Sequence, residues 1–366
     1  MPTTSIEPSQ VRLVLTGGGT AGHVIPHIAR LPALRQQGFD LLYIGSNGME
    51  KNLIEAQGIP FRSISCGKLR RYLSKDNLID LFKVVWGIVQ SLSILIFCKK
   101  KQLVLSQGGY VSVPVAVAAW LLRIPVVTHE SDASPGLATR ILAKFSKKIL
   151  CSFKEALPSL PKPISLYTGH PVREELHLGK KDKGFAFCSF DPSETRPVLL
   201  FMGGSLGAQL INEALLKALP ELLKQYRVIH LTGKGKSLAF KDPGYKSFEF
   251  VGKELPDLFS ITDYVIARAG ANSIFEFLAL EKPMLLIPLE RGSRGDQILN
   301  AKIFQDHGWA RVLREQDLSA EQLILDINTL KNSATNHSSH TEKSASVNSQ
   351  SKPIQLSLDA IQTVLG

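Results

Sequence analysis

Val11-Arg12-Leu13-Val14-Leu15-Thr16 runs directly into Gly17-Gly18-Gly19-Thr20-Ala21-Gly22-His23, and Val198-Leu199-Leu200-Phe201-Met202 runs directly into Gly203-Gly204-Ser205-Leu206-Gly207-Ala208. Each stretch reads as a strand, a tight turn and a helix N-terminus. That geometry presents backbone N–H groups and the positive end of a helix dipole to an anion. One such turn is weak evidence. Two, each opening one half of the chain, point to two similar α/β domains facing a phosphate-bearing ligand between them. Neither turn carries the Gly-Lys-Ser/Thr of a P-loop. The first also lacks the acidic residue that a dinucleotide fold places at the end of its second strand, because Asp40 begins that strand instead.

Outward from these turns the pattern alternates. Strands are expected near 11–16, 40–45, 61–65, 102–106, 125–128, 148–152 and 164–168, with helices near 24–37, 49–57, 76–98, 111–122 and 137–145. After Pro171 the pattern restarts, with strands near 197–202, 226–231, 247–251, 263–267, 284–287 and 310–313. Such alternation means parallel sheets covered by helices, with ligands at the carboxyl ends of the strands. The polar segment 331–352 reads as a mobile loop, and 354–365 as a terminal helix.

At 366 residues the chain suits two cores. Its four cysteines, Cys66, Cys98, Cys151 and Cys188, lack metal-ligand spacing and read as reduced, mostly buried thiols. Residues 1–10 do not read as a signal peptide. Charge is lopsided: residues 1–176 carry 21 Lys+Arg against 11 Asp+Glu, whereas the remainder carries 22 against 21. A basic excess in one domain implies an anionic partner for it. No nucleic-acid signature is present, and an anionic membrane surface fits better.

Residues 76–98 form the most apolar helical stretch. At 100° per residue Leu78, Leu81, Phe82, Val85, Val89, Leu92 and Ile96 share a face, expected to pack on the sheet. A second apolar group, Ile79, Trp86, Ile94 and Phe97, lies on another side. Arg70, Arg71 and Lys75 precede the helix and Lys99-Lys100-Lys101 follow it. Asp80, Lys83 and Gln90 interrupt it, which argues against a spanning helix. An apolar face with basic flanks suits docking on an anionic leaflet.

Seven ordered motifs resemble the MurG-type N-acetylglucosaminyltransferases, from about Val11 to Leu330. Gly18-Gly19-Thr20-Ala21-Gly22-His23 with Pro26 is similar to that family's GGTGGH-x-x-P, and Gly108-Gly109-Tyr110-Val111-Ser112 with Pro114 to GGYVS-x-P. Pro125 to Glu130 is similar to P-x-x-x-HE, Gly169-His170-Pro171-Val172-Arg173 to GNPVR, and Gly203 to Ala208 with Asn212 to GGS-x-GA-x-x-x-N. Arg268-Ala269-Gly270-Ala271 with Glu276, and Asp296-Gln297 with Asn300-Ala301, complete the set. Two departures stand out: Ser131-Asp132 replaces the usual Gln-Asn, and His170 replaces Asn.

The resemblance implies a GT-B fold of two doubly wound parallel-sheet domains facing a cleft, an acceptor domain over 1–172 and a donor domain over 173–352, with the 353–366 helix returning to the first. It implies inverting transfer of N-acetylglucosamine from UDP-N-acetylglucosamine to the muramoyl 4-hydroxyl of undecaprenyl-diphospho-N-acetylmuramoyl-pentapeptide, lipid I to lipid II. Cell-wall growth, shape and division follow from that pathway. The donor is a substrate, no cofactor is implied, and the absence of any Asp-x-Asp gives no support to an obligatory metal.

The donor site is then expected at Ser205 for the diphosphate, Gly252 for the uracil edge, the helix start Ala271, Asn272, Ser273, Ile274 and Phe275, Glu276 for the ribose, and Gln297 for sugar hydroxyls. Arg173 adds a bond to phosphate. Gly18, Gly19 and Tyr110 form the acceptor diphosphate loop, with Thr20, Ala21, Gly22 and Asp132 as binding residues. His23 is the expected general base; Glu130 orients it or is itself the base, and His129 is structural. Expected partners are the anionic surface and other cell-wall synthesis proteins, not nucleic acid, at the cytoplasmic face of the inner membrane. Competing readings are a UDP-N-acetylglucosamine 2-epimerase and a non-catalytic membrane scaffold.

Overall fold

The computed structural model describes residues 7–67, 75–204, 207–236, 240–290, 294–336 and 352–365. The chain divides into two compact units, one of residues 1–173 with 350–366, the other of 174–349.

The first unit runs β1 (Val11–Thr16), α1 (Ile25–Gln36), β2 (Asp40–Gly45), α2 (Met49–Glu55), β3 (Phe61–Ser63), α3 (Lys75–Ile96), β4 (Lys101–Ser106), α4 (Ser112–Leu121), β5 (Val126–Glu130), α5 (Leu137–Leu142), β6 (Lys148–Cys151) and β7 (Ser165–Tyr167). Its seven strands are all parallel, in the order β3-β2-β1-β4-β5-β6-β7. The inner strands are continuous apolar runs because both faces are covered. Val11, Leu13 and Leu15 of β1 face one core and Val14 the other.

The second unit runs α6 (Lys181–Cys188), β8 (Val198–Met202), α7 (Gln209–Leu222), β9 (Arg227–Leu231), β10 (Tyr245–Phe248), α8 (Leu255–Ile261), β11 (Tyr264–Ala267), α9 (Ala271–Ala279), β12 (Met284–Leu286), α10 (Asp296–Asp306), β13 (Ala310–Val312) and α11 (Ala320–Asn336). Its six parallel strands are ordered β10-β9-β8-β11-β12-β13. The last element, α12 (Lys352–Leu365), belongs to the first unit, where Ile354, Leu358, Ile361 and Leu365 join the core of β1 and α1. In both sheets strand order reverses beside the first strand, between β1 and β4 and between β8 and β11. Both glycine turns follow a strand at that reversal, where doubly wound sheets bind ligands.

Three expectations need correction. Strand β10 lies at 245–248, two residues before the expected run. Residues 331–336, expected in a loop, continue helix α11, while 337–351 lie outside the described residues.

The third correction concerns α3. Leu81, Phe82, Val85, Val89 and Ile96, expected to face the sheet, are exposed alongside Trp86 and Phe97, with Phe82 at 70% and Phe97 at 84%. Ile94, expected on the outer stripe, packs half-buried against the core that buries Leu95. The cause is size. A Cβ on Gly87 would fall 2.1 Å from the Ser65 carbonyl oxygen and 3.2 Å from Pro114 at the head of α4. Ser91, fully buried, donates its hydroxyl back to the Gly87 carbonyl at 2.7 Å. Small residues let the helix sit close to its neighbours, so the bulky stripe turns outward. The side chain of Ile79, with Leu78, Arg70, Arg71 and Lys75, lies outside the described residues. Among the thiols, Cys151 and Cys188 are buried, whereas Cys66 and Cys98 are only half-buried.

Candidate active site

In the first unit the turn after β1 is built from beneath. Tyr43 donates its hydroxyl to the Gly17 carbonyl at 2.8 Å. The ring of His27, on the first turn of α1, bonds through Nε2 to the Thr16 carbonyl at 3.1 Å. Burial, reinforced by the Arg30 charge, pushes the His27 imidazole down to about 3. It is therefore neutral, and the Nε2–H tautomer donates to that carbonyl.

The loop after β4 packs backbone-on-backbone against this turn. Gly19 (φ 83°) lies under the Tyr110 ring, where a Cβ would come within 2.5 Å of ring carbon, and a Cβ on Gly109 (φ 77°) would meet the Gly18 carbonyl at 2.7 Å. Only glycine satisfies both the backbone conformation and the approach. The same absent Cβ at Gly109 would sit 3.1 Å from His23 Nδ1, so the imidazole rests on the Gly109 backbone. Thr20 Oγ1 lies 3.1 Å from that Nδ1. Thus Gly18, Gly19, Thr20, His23 and Tyr110 are brought together, with Ala21 and Gly22 forming the short 3₁₀ turn that delivers His23. Burial raises the Tyr110 phenol, with a further push from the Glu50 charge.

Glu130 ends β5, nearly buried. Its Oε1 accepts from the Asp132 amide at 3.0 Å and its Oε2 from the Gly136 amide at 3.2 Å. The carboxylate therefore ties down the loop that carries Ser131 and Asp132. His129 is fully buried, and burial, then the Arg30 charge and His170, hold its imidazole well below the usual range. Arg173 is half-buried at the end of this unit.

Residues that sequence reasoning passed over support these loops from a distance. Glu50, fully buried on α2, accepts from the Ser46 amide at 3.0 Å and from its hydroxyl, and reaches the Gly19 amide at 3.5 Å. Arg30 and Gln107 are buried behind β4. Nothing local in the sequence marks any of the three, because each acts through a partner distant along the chain.

In the second unit the turn after β8 is fixed by Asn212 on α7, whose amide donates to the Thr232 carbonyl at 3.0 Å and accepts from His230 Nε2 at 2.9 Å. Ser205 falls outside the described residues. Arg268 leaves β11 and is held by Glu315 at 2.6 Å and by the Ile287 and Pro288 carbonyls. Asn300, fully buried, donates to the Ala269 carbonyl at 3.2 Å. Both anchors set the start of α9.

On α9, Ile274 is core and Phe275 packs edge-on against Phe304, so at these two positions the backbone is what a ligand can meet. Asn272 and Ser273 are half-buried, Ala271 is buried, and Glu276 is only 5% exposed. Gln297, on the first turn of α10, accepts from the Leu289 amide at 3.1 Å, which leaves its amide nitrogen to donate. Gly252 is exposed just before α8. These positions follow the carboxyl ends of β8, β10, β11 and β12.

A family model described as "Glycosyltransferase family 28 N-terminal domain" matches residues 13–151, and one described as "Glycosyltransferase family 28 C-terminal domain" matches 198–356. A Bacillus cereus protein named UDP-N-acetylglucosamine--N-acetylmuramyl-(pentapeptide) pyrophosphoryl-undecaprenol N-acetylglucosamine transferase 2 is 51% identical over 324 residues, 87% of this chain and 91% of its own. A Geobacillus thermodenitrificans transferase of the same name, without the numeral, is 47% identical over 96% of this chain and 98% of its own. Among solved structures, the Acinetobacter baumannii MurG crystal structure is similar with a TM-score of 0.69 at 25% identity, covering 96% of this chain and 99% of that one.

Proposed function

The chain belongs to glycosyltransferase family 28, and on that premise we propose that it moves N-acetylglucosamine from UDP-N-acetylglucosamine to the muramoyl 4-hydroxyl of undecaprenyl-diphospho-N-acetylmuramoyl-pentapeptide, with inversion, in peptidoglycan synthesis. The observation that carries this is His23, seated on Gly109 and bonded to Thr20 above a glycine turn. In the tautomer whose Nδ1–H donates to Thr20 Oγ1, the lone pair is on Nε2, the form a general base needs. His23 takes the proton of the attacking hydroxyl. Gly18, Gly19, Thr20, Ala21 and Gly22 receive the acceptor diphosphate, with Tyr110 beside them. Glu130 has its two oxygens on loop amides and holds Asp132 in place, so the base role goes to His23.

On the donor side the turn with Ser205 and the start of α9 hold the diphosphate by helix N-termini. Arg173, half-buried at the end of the first unit, can give a charge-assisted bond to a substrate phosphate. Glu276 accepts from the ribose hydroxyls, Gln297 donates to the sugar, and Gly252 reads the uracil edge. Leaving-group charge is stabilised by these dipoles without an obligatory metal.

No helix among the described residues is long and apolar enough to cross a membrane. The acceptor, however, is a polyprenyl lipid. The exposed stripe of α3, with Phe82, Trp86 and Phe97 outward and Lys99 and Lys100 exposed just beyond, suits reversible docking on an anionic leaflet at the cytoplasmic face. Acceptor-dependent UDP release tests the reading. Release only with lipid I supports it. Formation of a C2 epimer without acceptor would establish the epimerase, and neither product would leave a scaffold.

A further inference from the structure

Along the carboxyl edge of the first sheet, five side chains from α1 and the ends of β4, β5, β6 and β7 form one buried chain. Arg30 Nη1 donates to Gln107 Oε1 at 2.9 Å. Gln107 Nε2 bonds to His129 Nδ1 and donates to Ser131 Oγ at 3.0 Å. His129 Nε2 lies 3.3 Å from Ser152 Oγ, which lies 2.8 Å from His170 Nδ1. Arg30, Gln107, His129, Ser152 and His170 are each at most 3% exposed. Helix α12 lies beside Arg30 and beside Gly169, the residue before His170. Arg30 Nη2 reaches Ser357 Oγ at 3.4 Å, and a Cβ on Gly169 would meet Pro353 at 3.2 Å.

A guanidinium can only donate. Arg30 therefore fixes Gln107 with its oxygen inward and its amide nitrogen toward His129. His129 Nδ1 must then accept, so its proton is on Nε2. That Nε2–H donates to Ser152, and the His129 ring also bonds the backbone of Gly169. The Ser152 hydroxyl, having accepted, donates to His170 Nδ1, and His170 carries its proton on Nε2. Every bond runs one way, and one arginine sets the direction.

We infer that Arg30 is a positioning residue: through Gln107, His129, Ser152 and His170 it holds three strand-end loops in register, the Gly108–Tyr110 loop, the Glu130–Asp132 loop and the Gly169–Arg173 segment. Two of the positions where the sequence departs from the family pattern, Ser131 and His170, are members of this network. The link to Arg173 and phosphate rests on the transferase reading; the direction of the bonds does not. Burial keeps His129 neutral, as a one-way chain requires.

Gln107→Glu is the decisive variant. A carboxylate still pairs with Arg30 but cannot donate to His129. His129 must then donate from Nδ1, Ser152 must turn round, and both imidazoles must move to the Nδ1–H tautomer. Nitrogen-15 NMR of the full-length chain, labelled in histidine, reads this directly. The expected result is Nε2–H on His129 and His170 in the parent and Nδ1–H on both in Gln107→Glu. Donor kcat/KM should fall about tenfold from displaced loops. If Gln107→Glu does not fold, Ser152→Ala decides: His129 keeps its tautomer and His170 alone loses a fixed one. A folded Gln107→Glu protein with the parent's tautomers, or with reversed tautomers and undiminished transfer, overturns the proposal. So does an unchanged His170 in Ser152→Ala.

Discussion

His23 shows what a single residue owes to its neighbours. Its ring is placed by a glycine in another loop and oriented by the hydroxyl three residues before it. His23→Ala should lower turnover by about 10²–10⁴ while donor affinity stays near normal. A fall of less than tenfold would move the base elsewhere. Glu276→Ala should weaken UDP binding by about 1.5–3 kcal/mol, the range for a hydrogen bond to a charged group. Calorimetry showing unchanged affinity would refute its ribose role. The glycines and His23 were legible in sequence because turn and motif are local. Glu50, Arg30 and Gln107 were not, since each earns its place through a partner far along the chain. Glu130 was legible as a strand-end carboxylate, but its bonds to Asp132 and Gly136 needed coordinates.

At the scale of elements, the inner strands were legible because buried parallel strands are continuous apolar runs, whereas the half-buried edge strand β10 was placed two residues late. Helix α3 was legible as a helix and misread as a surface. Periodicity finds the largest apolar stripe, and close packing had selected the smallest residues, Gly87 and Ser91, for the inner face. Replacing Phe82, Trp86 and Phe97 together with Ser should reduce sedimentation with anionic vesicles. Each change should alter stability by no more than about 0.5 kcal/mol, since the side chains are exposed. Binding equal to the parent's would place the membrane contact elsewhere.

Helix α1 makes a different prediction. The folded His27 ring stays neutral down to about 3, while in the unfolded chain it takes a proton below 6.5. The unfolded state therefore binds more protons in that window, and stability falls as pH falls through it. Between pH 7 and 5 this ring alone should cost about 2 kcal/mol. Denaturant titrations at the two pH values should show that loss in the parent and a shallower one in His27→Gln. Equal slopes would contradict the buried neutral ring.

For the whole molecule, the sequence carried the two-sheet plan because the same strand–glycine turn–helix signal appears at the head of each half. The central claim is transfer, with inversion, from an α-linked nucleotide sugar to a lipid-linked acceptor. Its most direct test is the product formed from UDP-N-acetylglucosamine and lipid I, in excess chelator, analysed by mass spectrometry and proton NMR. The account predicts a β-1,4-linked N-acetylglucosaminyl–muramoyl lipid and one UDP per disaccharide. An α linkage, UDP released without disaccharide, or no product until a divalent metal is restored would contradict it.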